Sequence, residues 1–293
     1  MSIFAPEVPK ALAHGPGRWG AVVVADGTAL DLRATARKLL DKDDARILVA
    51  VSSFVAENTA ASLVRVDDPF AGTHFPVGRP GLFVQVSADA RAIRDELLHA
   101  VKWEIARQGN VVVEEHALAA IEPGAREPFG FPDPFRPKKL DHAFVREGLA
   151  QGCAVLLYQH WHQDIARFTA LPTDAQERVM GIHQKDGKPL VDAPKTAHVL
   201  RMRASDYALV RRGLPLEDRT GLLVVAHARA GATLSFALRS LTAGDALVDF
   251  AWPVSGGAFI ALSSSASLSL LSGSVSPDSP STPHAEESAQ ESA

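Results

Sequence analysis

Two residues invite chemistry before any fold is known. His198, in AHVLRM, stands thirteen positions before Arg211, in YALVRRGLP. A neutral imidazole can ligate a metal through one ring nitrogen. A fixed guanidinium offers preorganised N–H donors to a developing negative charge. If ALVRRG is a strand, the two side chains can share one pocket. Arg212 follows Arg211, and strand alternation sends the pair to opposite faces, one functional and one solvated. His160 and His162 alternate in AVLLYQHWHQD and share a face, a spacing compatible with a metal, but no third ligand stands out. His227, on an apolar strand, reads as a packed core histidine, and Cys153 as a small buried hydrophobe at a strand start.

The elements that must position these residues follow from periodicity. In the first part, GAVVVADG, ARILVAVSS, GLFVQVSA and NVVVEEHALA read as strands, and LDLRATARKLLDK and DARAIRDELLHAVKWEIARQG as helices. Ile93, Leu97, Leu98, Val101 and Ile105 fall on one face of the second helix. The order β-α-β-β-α-β is the ferredoxin-like split unit. The second part repeats the kind: a strand over 154–163, helices to about 181, strands around 207–214 and 221–228, a helix over 232–243 and a final strand, GGAFIALS. LPTDAQERVMG has Thr173 and Gln176 at capping-box spacing. The 21-residue segments that start at Gly81 and Gly221 align without a gap and match at 7 positions, which supports two copies of one α+β unit.

Composition narrows the class. With 293 residues, 46% of them apolar, the chain can build one large core or two modest ones. The charge of −4 is carried by Asp278, Glu286, Glu287 and Glu291, so the body is formally neutral and lacks the basic face of a nucleic-acid binder. A lone cysteine excludes an internal disulfide, a zinc–cysteine cluster and covalent Cys-x-x-Cys-His haem attachment. No signal peptide, twin-arginine pair or membrane-length apolar run is evident, so a cytoplasmic protein with no membrane or nucleic-acid partner is expected.

The run from Gly152 to Pro215, with AHVLRM, ALVRRG and the later LVDFAWP, resembles the C-terminal half of dye-decolourising peroxidases. The resemblance implies an α+β fold of two ferredoxin-like halves, a duplicated barrel of antiparallel sheet with peripheral helices. It implies one haem b and the use of hydrogen peroxide to oxidise a small organic substrate. Residue by residue, it makes His198 the iron ligand, Asp249 its anionic partner and Arg211 the cation on the peroxide side. Asp133, in GFPDP, stands where the family keeps a proton-shuttling carboxylate, but Pro134 replaces the family's glycine and the usual Thr-Glu-Asn-Pro continuation is missing. A haem carrier or sensor, or a haem enzyme of another reaction type, is the alternative that this altered loop favours.

The expected organisation is an N-terminal half over 1–121, a Pro-rich connector over 122–150 carrying the distal Asp, a haem-binding half over 151–265 and a disordered acidic tail over 266–293. Five prolines between 122 and 139 forbid regular structure there. The tail is too polar to offset its ordering entropy. Its one apolar cluster, SLSLLSGSV, loosely resembles peptides that dock some of these peroxidases into encapsulin shells. A homo-oligomer is also expected.

Overall fold

The structure, a computed structural model, describes residues 18–64, 70, 75–76, 78–119, 126–132, 143–203, 209–219 and 221–269. The first half contains β1 (Trp19–Asp26), α1 (Ala29–Leu40), β2 (Ile47–Val51), β3 (Leu82–Ala88), α2 (Arg91–Arg107) and β4 (Val111–Leu118). The second contains β5 (Ala154–Gln163), α3 (Ile165–Thr169), α4 (Thr173–Met180), α5 (His198–Arg203), β6 (Leu209–Pro215), β7 (Gly221–Ala228), α6 (Gly231–Thr242) and β8 (Ala251–Ala261).

One eight-stranded sheet runs through both halves in the order β4-β1-β3-β2-β8-β5-β7-β6. The order β4-β1-β3-β2 recurs as β8-β5-β7-β6, and every strand pair is antiparallel. Equivalent pairs also carry equivalent irregularities: β1 shifts register against β4 at Val24/Ala25, and β5 against β8 at His160/Trp161. The duplication read from Gly81 and Gly221 is therefore a duplication of topology: each segment is a strand followed by a helix. The described residues form an α+β fold of two ferredoxin-like units.

Two short seams join the units. Ala50 and Val51 of β2 pair with Ala261 and Ile260 of β8. On the far side, Leu118 bridges Leu216, and Ala119 N–H donates to Pro215 O at 2.8 Å. The sheet thus closes into a barrel, whose eight strands leave an interior that side chains can fill. Alternation then sorts the core. Val24, Leu48, Phe83, Leu156, Val225 and Phe259 fill the inside. The opposite faces pack under the helices, with Leu32, Leu39, Val101 and Ile105 covering the first half.

Two local expectations are corrected. Pro172, not Thr173, occupies the N-cap of α4, and Thr173 is its first helical residue. Gln176 instead turns its amide to Leu171 O at 2.8 Å, and Gly181 ends the helix at φ 83°. The second correction concerns the tail. Residues 265–268 form a 3₁₀ turn whose Leu268 is fully buried, because an apolar side chain there fills the layer beside α1 and residues 60–63. Arg37 donates to Leu268 O at 2.5 Å, and Ala60 N–H to Ser269 O at 3.1 Å. The start of the tail is therefore part of the body, and the rest of SLSLLSGSV lies outside the described residues. Among the described residues, no helix is long and apolar enough to cross a membrane.

Candidate functional site

The first unit packs α1 and α2 flush against its sheet. In the second unit the corresponding layer stands off, leaving a cleft of about 830 Å³, its open mouth included. Its floor is the outer face of the sheet. Gln159, Trp161 and Gln163 alternate along β5, Leu222 and Val224 come from β7, and Arg211 and Gly213 from β6. Its roof is His198 and Met202 of α5, Leu241 of α6 and the turn from Asp245 to Val248. His198 and Arg211 do line one cleft, from opposite layers.

His198 is the first residue of α5. Its Nδ1 lies 2.8 Å from Oδ2 of Asp245, a carboxylate with no exposed side-chain surface. The other oxygen, Oδ1, accepts from Leu247 N–H at 2.8 Å and caps the 3₁₀ turn over 246–249. Ala246 N–H donates to Thr196 O at 2.8 Å, which ties that turn to the segment leading into α5. One carboxylate thus fixes both the turn and the imidazole, selecting the tautomer that carries its proton on Nδ1. Nε2 is left as the lone-pair nitrogen, with no protein partner among the described residues.

Asp249 does not hold this position. It ends the same 3₁₀ turn with its side chain exposed, and its carbonyl accepts from Arg167 Nη1 at 3.0 Å. The turn rotates its last residue away from α5, and the cap position, Asp245, takes the histidine. A cap signal in the sequence, Asp245 two residues ahead of Leu247, was available to find it.

Asp133 lies outside the described residues. The stem before it, inside the Pro-rich connector, is firmly placed. Phe129 and Phe131 are buried and pack on Phe168. Arg126 donates to the carbonyls of Gly130, Gln184 and Lys185. Glu127 and Phe129 form the rim of the cleft.

Three polar groups on the floor escaped the sequence reading. Gln159 Nε2, Trp161 Nε1 and Gln163 Oε1 are buried and have no hydrogen-bond partner among the described residues. Buried polar atoms are nearly always satisfied, and leaving one bare costs roughly 1–3 kcal/mol. Three on one strand face, lining an apolar cleft, mark a surface made to meet a ligand that carries both apolar area and polar groups. A haem fits that description, being a flat apolar macrocycle with two carboxylates, and His198 Nε2 is the nitrogen an iron requires.

The remaining histidines sit elsewhere. His160 faces the barrel interior, its ring centroid 4.7 Å from that of His116. Burial and the neighbouring His116 lower its pKa. There Glu114 accepts from Tyr158 and from Ser255, and lies 3.1 Å from His116 Nε2. Burial opposes ionisation of Glu114, but these bonds outweigh it and hold its carboxyl below the usual range. His162 stacks on Trp252 at 4.6 Å. Among the described residues, no group of three or more His, Cys, Asp or Glu side chains could hold a metal ion.

Comparison with known proteins agrees with this fold. Residues 131–266 match the family described as Dyp-type peroxidase, C-terminal. Among solved structures, a dye-decolorizing protein from V. cholerae is 21% identical, with a TM-score of 0.66 over 85% of this chain and 94% of its own. A dye-decolorizing peroxidase from Bacteroides thetaiotaomicron is 17% identical, with a TM-score of 0.73 over 90% and 98%. A variant of Rhodococcus jostii DypB, in complex with heme, is 20% identical, with a TM-score of 0.72 over 90% and 99%. At these identities the structures speak for the fold. No curated protein matches the chain.

Proposed function

We propose, from the membership of its C-terminal region in the Dyp-type peroxidase family, that this chain binds haem b in the cleft and uses hydrogen peroxide to oxidise a small organic substrate. The observation that carries this reading is His198 held by buried Asp245, opposite Arg211 across a cleft floored by unsatisfied polar groups.

His198 would ligate the iron through Nε2. Asp245 accepts a charge-assisted hydrogen bond from Nδ1–H, which raises the basicity of the ligating nitrogen. Bound haem would supply the electrons that reduce the peroxide. Arg211, from β6, would bind the peroxide and stabilise negative charge as its O–O bond opens; a guanidinium stays protonated at any working pH. Asp133 would take the proton from one peroxide oxygen and return it to the other, a task typically worth roughly 10²–10⁴-fold. Leu222, Val224, Leu241 and Leu247 keep the cleft apolar, which strengthens each of these interactions.

Purified protein should show a Soret band that shifts with peroxide. His198→Ala should lose the haem or its histidine-ligated spectrum. Arg211→Ala and Asp133→Ala should keep haem and slow the peroxide reaction in stopped flow. Unchanged haem occupancy and spectrum in His198→Ala would refute the ligand. A haem protein that reacts with peroxide no faster than free haem would be a carrier instead.

A further inference from the structure

Arg211 and Arg212 are consecutive on β6, and alternation gives them different worlds. Arg211 enters the cleft. Arg212 turns into the barrel and is partly buried there, rather than solvated as the alternation argument alone had it. On the neighbouring strand, Val210 pairs with His227 and Arg212 with Val225, so Arg212 and His227 are diagonal neighbours on the inner face. His227 is 3% exposed, and its Nε2 has no hydrogen-bond partner. The Phe144 ring lies against it, centroids 6.0 Å apart. Among the described residues, no carboxylate or carbonyl accepts from the Arg212 guanidinium.

A cation drawn out of water without an acceptor is costly unless a counter-charge joins it. Burial lowers the pKa of Arg212. Burial, with Arg212 adding to it, pushes His227 down to about 3, so its imidazole is neutral and can offer one N–H. The inner carboxylate Glu114 is already engaged by Tyr158, Ser255 and His116, toward the other end of β6. The described part of β4 accompanies β6 only from Pro215 onward, so no described strand flanks β6 at Arg212 on that side.

We propose that Arg212 and His227 form an anion site inside the barrel, distinct from the cleft, for a small planar monoanion of the carboxylate class. The guanidinium fork matches two oxygens side by side, and Nε2–H supplies a third donor. One fixed positive charge calls for one negative charge. Walls of Phe144, Val210, Leu214 and Val225 disfavour strongly hydrated dianions. The site is independent of the haem assignment.

The test titrates the purified holoprotein with sodium formate, holding ionic strength with sodium sulfate. The thermal midpoint, the Soret band and the ring resonances of ¹⁵N-histidine-labelled protein are followed together. The midpoint should rise saturably by several degrees, one histidine should shift with the same concentration dependence, and the Soret band should stay fixed. Arg212→Met should lose the formate response, while its midpoint in sulfate equals or exceeds that of the parent because no lone charge is left. If Arg212→Met fails to fold, the histidine shift in the parent decides, assigned by its loss in His227→Phe. No saturable response to formate, a full response retained in Arg212→Met, or a response that tracks a Soret shift and so places formate on the iron would each overturn the proposal.

Discussion

His227 gives the sharpest test of the barrel interior, because its effect on stability has a definite sign and size. Its folded pKa is about 3 against an ordinary 6.5, lowered by burial first and by Arg212 second. Between those values the unfolded chain holds a proton on this residue that the folded chain does not. Stability therefore rises with pH in this window, is fully present above about 6.5, and is lost as pH falls toward 3. One proton corresponds to about 1.4 kcal/mol per pH unit, so the loss at pH 5 is about 2 kcal/mol. Urea unfolding of the parent and of His227→Phe at pH 7, 6 and 5 in sulfate buffer isolates this term, since Glu114 and the other carboxylates are common to both. The stability difference between the two proteins should move by about 2 kcal/mol in favour of the variant from pH 7 to pH 5. Parallel curves would show that His227 reaches water or a partner when folded, and the reasoning from its burial would be wrong.

Asp245→Asn should raise the reduction potential of bound haem in a spectroelectrochemical titration, since His198 loses its anionic partner, whereas Asp249→Asn should leave it unchanged. Leu268→Ala should cost about 2–5 kcal/mol in urea unfolding, as expected for a fully buried leucine; a negligible loss would return the 265–268 turn to the tail. Gly221→Ala should lower the thermal midpoint and weaken haem retention, because a Cβ there would meet Trp161 O at 2.2 Å and push β7 from the cleft floor.

The strands and helices were legible because burial on one or both faces leaves a periodic signature, and the repeat at Gly81 and Gly221 pointed to the duplicated topology. His198 and Arg211 could be brought to one cleft from their spacing and a strand assignment. Asp249 misled because a short 3₁₀ turn, not a strand or a long helix, sets which carboxylate meets the histidine, and such turns leave no period to read. Gln159, Trp161 and Gln163 look like ordinary strand residues until their neighbours are known, since an unmet hydrogen bond is a property of three dimensions. Leu268 was missed for the converse reason: one leucine in a polar stretch carries no pattern, although a single pocket can claim it.

The consecutive arginines of β6 have a consequence for strand register. A slip of one residue normally turns a strand inside out, moving every core side chain to the wrong face. On β6 such a slip would still deliver a guanidinium to the cleft, Arg212 in place of Arg211, and still leave one in the barrel. The distal charge itself would not report the error. What forbids it is the apolar pair on the same strand: Val210 and Leu214 belong to the barrel interior, and a slip would evict both at once. The charge facing the cleft is thus guarded by Val210 and Leu214, side chains on the opposite face of the strand.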